Sequence, residues 1–507
     1  MFRSNENDML VNSRKILVKP QVAQDYSLNG ANNQIRFRLN PDSIPFFIPD
    51  RTYLKMELEV TSTYPNFKPC ASAGAHSLIR NLRITSDGQE VETVQEYNSL
   101  VAMKYARNKT DSLTSKRVMF EGQSPCTTTE QQLYVDAQPQ PSATATTTNP
   151  SYKKVDVEIP IHSGFFTRDQ LHPNVAMPLD LVFNLEDKRR ALQQIAPAKN
   201  SFSTPIGSLQ TGFTAGPITS VLVTGYDVKN LGFFIGETLE IKEASGGPAL
   251  ESLGPIVSYE LDSGHLKLNF ASFTTTQTYT TAAKLFVNGN NLRSAGLDLK
   301  ISNISLVMTT VQPPKEYVDS LINATKSVDG QQFQIQTFEL QRTNMTSTTG
   351  LQSLAIPNQT YDKALSIFSV PFDTAKLQNQ DDDTLVGVFD DLTNYQYIHG
   401  NEPVPSRVVD CSNYKAPASR WSAIHQNELL KCYDNAKVKC LDLHRIVETG
   451  WLVGRAWSDR GTVSNLSREP LFLNLDYGSN AVANKIVYHY MACIRIVQIS
   501  QMGVKVF

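Results

Sequence analysis

Chemistry in this chain would have to come from a few small constellations. Cys432, Cys440 and His444 form the best metal candidate, because Cys440 and His444 stand at the spacing of half a zinc site. No second close ligand pair accompanies them, and buried structural thiols are the competing reading. His425 and Glu428 lie at i and i+3 of an expected helix. A carboxylate there could orient an imidazole for base catalysis or metal binding, or the two could be an ordinary surface or interface pair. Asp381, Asp382 and Asp383 could hold Ca²⁺, yet they lack the Gly and Glu of an EF-hand loop, and the reading preferred is a solvated turn. Arg455, Trp457 and Arg460 could stack on nucleic acid and pair with it, or make a subunit contact. No Walker loop, GxSxG elbow, HExxH or GxGxxG occurs. No catalytic, cofactor-binding or metal residue is therefore assigned, and the expectation is a non-enzyme that needs no cofactor.

The whole chain bounds what such residues could serve. At 507 residues it exceeds one ordinary core, so two or three domains are expected. The balance of 47 Lys+Arg against 49 Asp+Glu argues against a generally basic nucleic-acid coat. Six cysteines without a CxxC pair suggest neither a zinc ribbon nor a disulfide framework, and point to a reducing compartment. Arg3, Asn5, Glu6, Asn7 and Asp8 stand where a signal peptide needs an apolar core, and no apolar run approaches the ~20 residues that span a bilayer. A soluble product of the cytosol is expected.

The elements that would position these residues are strands. In Lys153 to Asp187, Val155, Val157, Ile159 and Ile161 alternate with polar residues, and beyond a loop holding Gly164 and Pro173 so do Leu179, Leu181, Phe183 and Leu185. Two half-buried strands flank that loop and read as a pair, and the sheet of the second is expected to resume only at Leu297 to Thr309. Residues 1–30 read as a polar extended arm carrying Arg3, Arg14, Lys15 and Lys19, suited to strap onto a neighbouring subunit or anionic material. Gln34 to Leu39 and Tyr53 to Val60 alternate, and Asp87-Gly88 joins Leu78 to Thr85 with Gln89 to Val94 as a hairpin. Glu96 to Tyr105 has the period of a short helix, Arg117 to Phe120 that of a strand, and Gln138 to Pro150 the composition of a surface loop.

From about residue 191 to 295 a segment begins that is rich in Gly, Pro, Ser and Thr and becomes β-rich. Its strands are placed at Val221 to Thr224, Thr238 to Lys242, Ile256 to Leu261, His265 to Phe270 and Leu285 to Val287. Its size suits an insertion of roughly 100 residues. Leu297 to Thr309 resumes the alternation with an irregularity at Ser302-Asn303, and Lys315 to Ala324 reads as an amphipathic helix. Beyond it strands are expected at Gln332 to Leu340, Ala364 to Pro371, Lys437 to Ile446, Trp451 to Ala456, Pro470 to Asp476, Ile486 to Val497 and the C-terminus, with a helix within Tyr414 to Tyr433.

The fold class that fits is all-β: two antiparallel jelly-roll β-barrels in tandem, with short helices in loops and a small β-rich insertion in the first. The expected division is an arm over 1–30, a first barrel over 31–325 with its insertion at about 191–295, and a second barrel over 326–507.

Particular residues then carry a resemblance. The run Gly74 to Ile84 with Asp87-Gly88-Gln89 and Tyr97-Asn98 resembles the first jelly roll of double-jelly-roll major capsid proteins, those of virophages, polinton-like viruses and nucleocytoplasmic large DNA viruses. Ile159 to Phe166 with Pro178-Leu179 is similar to the strands before that family's tower loop, and Ile304 to Leu306 with Pro313, Pro314, Glu316 and Tyr317 to the end of its first barrel. Arg495-Ile496 and Gly503-Val504 resemble the closing strand of its second. The resemblance implies a structural protein of the virion, made in the host cytoplasm. It implies a pseudo-hexagonal homotrimer whose capsomers tile an icosahedral shell beside neighbouring capsomers, penton and minor capsid proteins. No sequence-specific nucleic acid is implied, and contact with an internal membrane stays open. The insertion would form a tower, either a plain cap or a site for a host-surface ligand. The competing reading is a multi-domain carbohydrate-binding or glycan-processing β-sandwich protein, with Tyr226, Phe233 and Phe234 as candidate aromatic platforms.

Overall fold

The computed structural model describes residues 13–22, 24–28, 33–61, 67–108, 116–117, 120–121, 154–194, 205–225, 238–243, 250–262, 265–287, 298–325, 330–346, 349–377, 383–415, 422–441, 446–457, 463–480, 484–501 and 503–507, with single residues at 30, 327, 443 and 482. The expected loop at 138–150, Arg3, Arg460, His444, Asp381, Asp382, Tyr226, Phe233 and Phe234 lie outside them.

The first half contributes β1 (Ser13–Val18), β2 (Gln34–Arg38), β3 (Tyr53–Thr61), β4 (Ile79–Ser86), β5 (Gln89–Val94), helix α1 (Tyr97–Arg107), β6 (Lys154–Pro160) and β7 (Asp180–Leu185). The small barrel follows with β8 (Gly207–Leu209), β9 (Gly216–Thr224), β10 (Thr238–Lys242), β11 (Glu251–Asp262), β12 (His265–Thr275) and β13 (Lys284–Val287). Next come β14 (Asp298–Val311) and helix α2 (Lys315–Thr325). The second half holds β15 (Gln331–Met345), β16 (Leu351–Ile356), β17 (Ala364–Asp373), β18 (Asn394–His399), β19 (Glu402–Asp410), helix α3 (Ala423–Asn435), β20 (Val453–Ala456), β21 (Leu471–Asp476), β22 (Lys485–Ser500) and β23 (Gly503–Val506).

Each half is a pair of antiparallel sheets. In the first, β14, β3 and β6 lie side by side, with Phe46–Phe47 and His172–Pro173 beyond β14 and β1 also paired to it; the opposing sheet runs β2-β7-β4-β5. In the second, β15-β22-β17-β20 faces β16-β21-β18-β19. Strands β8-β9-β12-β11-β10-β13 close into a barrel. One contiguous apolar cluster runs through both halves, and a separate one, including Val223, Leu239, Ile256 and Leu268, fills the small barrel. Full closure leaves that barrel no free sheet edge. No helix among the described residues is long and apolar enough to cross a membrane.

Local chemistry explains several elements. Asp87 and Gly88 both have positive φ (48° and 81°), as a two-residue type I′ turn requires, and Ser86 pairs with Gln89 across it. In β14 the register shifts between Ser302 and Ser305, with Asn303 at φ 50°, so the expected irregularity is a bulge.

Five expectations are corrected. The two arms of Lys153 to Asp187 are not a pair: β6 joins β3 in one sheet and β7 joins β2 and β4 in the other. Alternation reveals which face is buried but not which strand is the neighbour. Consequently β14 continues the sheet of the first arm, through β3, rather than that of the second. Residues Ser13–Val18 of the arm are a strand zipped antiparallel to β14 of the same chain. Of Arg117 to Phe120, residues 117 and 120 are helical. Between Lys437 and Ile446 the described residues form no strand, and Ile446–Thr449 is a short helix.

Candidate functional site

Among the described residues, a network of buried polar side chains lies where the two halves meet, around α1. Helix formers run through Leu100, Ala102, Met103 and Ala106, and almost every residue of the helix is buried, so it is a core element rather than a surface one. Its C-terminal end is held by the second half: Leu441 N–H donates to Arg107 O at 2.7 Å, the Arg107 guanidinium donates to Gly450 O, and Tyr433 OH reaches Met103 O at 3.5 Å.

At the N-terminal end stands Glu96, fully buried and left-handed (φ 46°). Its carboxylate is paired with Arg190 and Arg342, and with Arg80 at 3.3 Å, while Tyr490 OH donates to its carbonyl at 3.2 Å. Arg342 and Tyr490 belong to the second half, so the Glu96 carboxylate ties β4, the segment after β7 and β15 together, and its main-chain carbonyl adds β22. Glu186 lies beside it, accepting from Asn98 Nδ2 at 2.9 Å and from Arg190 at 3.4 Å. Burial raises the Glu186 pKa, against the pull of Arg190.

A third buried carboxylate, Glu92 of β5, closes the junction. It accepts from the backbone N–H of Gly164 at 2.8 Å and of Phe165 at 2.9 Å, and from Thr337 Oγ1 of β15 at 2.7 Å. Gly164 is there because the backbones touch: a Cβ would stand 2.1 Å from Gln336 O. The loop between the two arms of Lys153 to Asp187 is thus the point at which the first barrel meets the second. Ser72 completes the seam, donating from its N–H (2.8 Å) and hydroxyl (2.9 Å) to the Asp383 carboxylate.

Behind α1, Tyr105 OH donates to Glu121 Oε2 at 2.5 Å and meets His162 Nε2 at 2.7 Å and His76 Nε2 at 3.2 Å. The Arg117 guanidinium lies 3.8 Å over the Tyr105 ring. Burial, reinforced by His76, holds the His162 pKa well below its usual value.

The described members of the constellations singled out in the sequence have partners within the fold. His425 is fully buried, between Tyr414 OH at Nδ1 (3.0 Å) and Leu452 O at Nε2 (3.0 Å), and burial lowers its pKa to about 3. Glu428 turns away from it to Arg455 (2.5 Å) and Lys431 (3.3 Å). Cys432 is a buried thiol whose pKa burial, then Glu428, pushes far up, and it packs against Gly454. The described residues hold no group of three or more His, Cys, Asp or Glu set for a metal ion. Trp457 packs edge-on to Tyr397 and His399. Asp383 serves the seam with Ser72. The sequence reading passed over Glu92, Glu96 and Arg342, which stand among polar neighbours (QEVETV, VQEYN and LQRTN) and carry no local signal of burial.

No family model matches this chain, and neither does any curated protein. Solved structures do. The Faustovirus major capsid protein is 10% identical, with 99% of this chain and 92% of that one covered at a TM-score of 0.51. The PBCV-1 virus capsid is 8% identical, with 98% and 96% covered at 0.51. PBCV-1 VP54, fitted into a reconstruction of the virophage Sputnik, is 8% identical, with 98% and 96% covered at 0.50. At such identities the likeness is one of fold, and it extends over nearly the whole chain: two jelly rolls in tandem.

Proposed function

We propose that this chain, an all-β double jelly roll, is a viral major capsid protein that assembles as a pseudo-hexagonal homotrimer and tiles an icosahedral shell. The observation that carries the reading is the end-to-end match of both barrels to capsid subunits. The junction supports it physically. A capsomer needs its two barrels at one fixed angle, and Glu92, Glu96 and Gly164 hold them so with buried, fully engaged groups. We take the protein as structural rather than catalytic, its partners being two further copies, neighbouring capsomers, and penton and minor capsid proteins of the same virion.

The units in this reading are an arm over 1–30, a first barrel over 31–325 and a second over 326–507, with the small closed barrel as an insertion at about 191–295 that rises as a tower. Electron microscopy of the purified protein tests the proposal: hexagon-outlined trimers are expected, and a protein that stays monomeric at high concentration by light scattering would sink it.

A further inference from the structure

Sheet edges are where a β protein recruits another chain, and natural edges are blunted by charge, proline or bulges. Among the described residues, the edge strands of five or more residues follow that rule with one exception. Strand β6 carries Lys154, Asp156, Glu158 and Pro160; β1 carries Arg14 and Lys15; β2 carries Arg36 and Arg38; β5 carries Glu90 and Glu92; β15 carries Glu339 and Arg342. Strand β19 has Pro403, Pro405 and Arg407 and a register shift opposite Tyr395 and Tyr397. Strand β16, Leu351-Gln352-Ser353-Leu354-Ala355-Ile356, has neither charge nor proline, and its ladder with β21 is unbroken over six residues. Among the described residues β21 is its one strand partner, and no described backbone group bonds its other side.

Leu354 and Ile356 are buried, while Leu351, Ser353 and Ala355 are exposed, Leu351 at 62%. The face they share is nearly neutral. Its rows across β21 and β18 read Leu351, Asp476, Asn394; Ser353, Asn474, Gln396; and Ala355, Phe472, Ile398, with Asp476 the one charge.

We propose that β16 pairs antiparallel with β16 of a second copy of this chain, about a twofold axis through Ser353. Charge selects this occupant. Self-pairing sets equivalent residues near one another, so a charged strand repels itself, and β16 is the six-residue edge without a charge. The register is self-consistent: Ser353 faces Ser353, Leu351 faces Ala355 and Gln352 faces Leu354, so exposed residues meet exposed ones and core-facing meet core-facing. The two four-stranded sheets then become one of eight. A threefold axis cannot set a strand antiparallel to itself, so the contact joins chains of different trimers. In that respect it rests on the capsid reading and names the surface linking capsomers.

Cross-linking tests this with the full chain. Opposed residues of an antiparallel pair have Cα atoms about 4.5–5.5 Å apart, within disulfide range. Ser353→Cys under mild copper-catalysed air oxidation is expected to give a band of twice the chain mass on a non-reducing gel, and Ser406→Cys on β19 is expected to give none. Ser353→Lys, exposed and harmless to the fold, is expected to weaken trimer–trimer association about tenfold by light scattering, because two lysines then face each other. Absence of the Ser353→Cys dimer, an equal yield from Ser406→Cys, or an unchanged association of Ser353→Lys would each overturn the proposal. Trimers that form without the dimer leave the capsid reading standing and remove this one. Monomers that cross-link at Ser353→Cys do the reverse.

Discussion

At the residue scale the junction is sensitive out of proportion to its size. Gly164→Ala places a methyl group 2.1 Å from a backbone carbonyl that cannot step aside. A loss of about 1–3 kcal/mol is expected, read as a lower Tm, with the first barrel's own hairpin unaffected. Glu96→Ala leaves Arg190 buried among Glu186, Ser99 and Tyr488 without its nearest carboxylate. Breaking a buried pair from one side costs about 3–5 kcal/mol, so unfolding in denaturant should show a matching fall in midpoint. Exposed pairs such as Lys363 with Asp362 should be worth far less when truncated.

At the element scale the strand β7 carries the clearest prediction. Leu181 and Phe183 are fully buried, and Phe183 meets the Phe37 ring edge-on at 6.0 Å. Leu181→Asp or Phe183→Asp should cost several kcal/mol through an uncompensated buried charge, and abolish the proposed trimers in size-exclusion chromatography. A variant that trimerised normally would show that the inward face is misassigned. The small barrel behaves oppositely. Its apolar cluster shares no residue with the main core. Replacing about residues 205–290 by a short Gly-Ser link is therefore expected to leave the rest folded, and, if the tower binds a host-surface ligand, to remove attachment while assembly persists.

At the scale of the whole molecule, histidine sets the pH range. Burial lowers the pKa of His172, His425 and His489 to about 3, and that of His162 well below its usual value. All four are neutral in the folded chain. The unfolded chain takes up a proton at each near pH 6.5, so their contribution is complete above that pH and lost as pH falls toward 3. Each adds a slope of up to about 1.4 kcal/mol per pH unit. Thermal stability should hold from pH 8 to 7 and decline steeply from pH 6 to 4, and a flat profile there would contradict the buried, neutral assignment.

The sequence by itself determined the two-residue turn at Asp87-Gly88, the bulge at Asn303, the inward rows of β2, β3, β6 and β7, the insertion's strands and the helix before Arg107. These rest on periodicity, turn chemistry and composition, all local. It also excluded the common catalytic motifs. Strands β16, β18 and β19 escaped notice because β16 lacks strong alternation and β19 is broken by Pro403 and Pro405. Only the tertiary structure decided that β6 and β7 sit in opposite sheets, that the arm's β1 zips onto β14, and that the described residues between Lys437 and Ile446 form no strand. It alone showed that Gly164 is demanded by Gln336, 172 positions away, and that Glu96 gathers Arg80, Arg190 and Arg342. Such pairings are long-range. A buried carboxylate looks like a surface one in sequence until the chain brings three arginines to it.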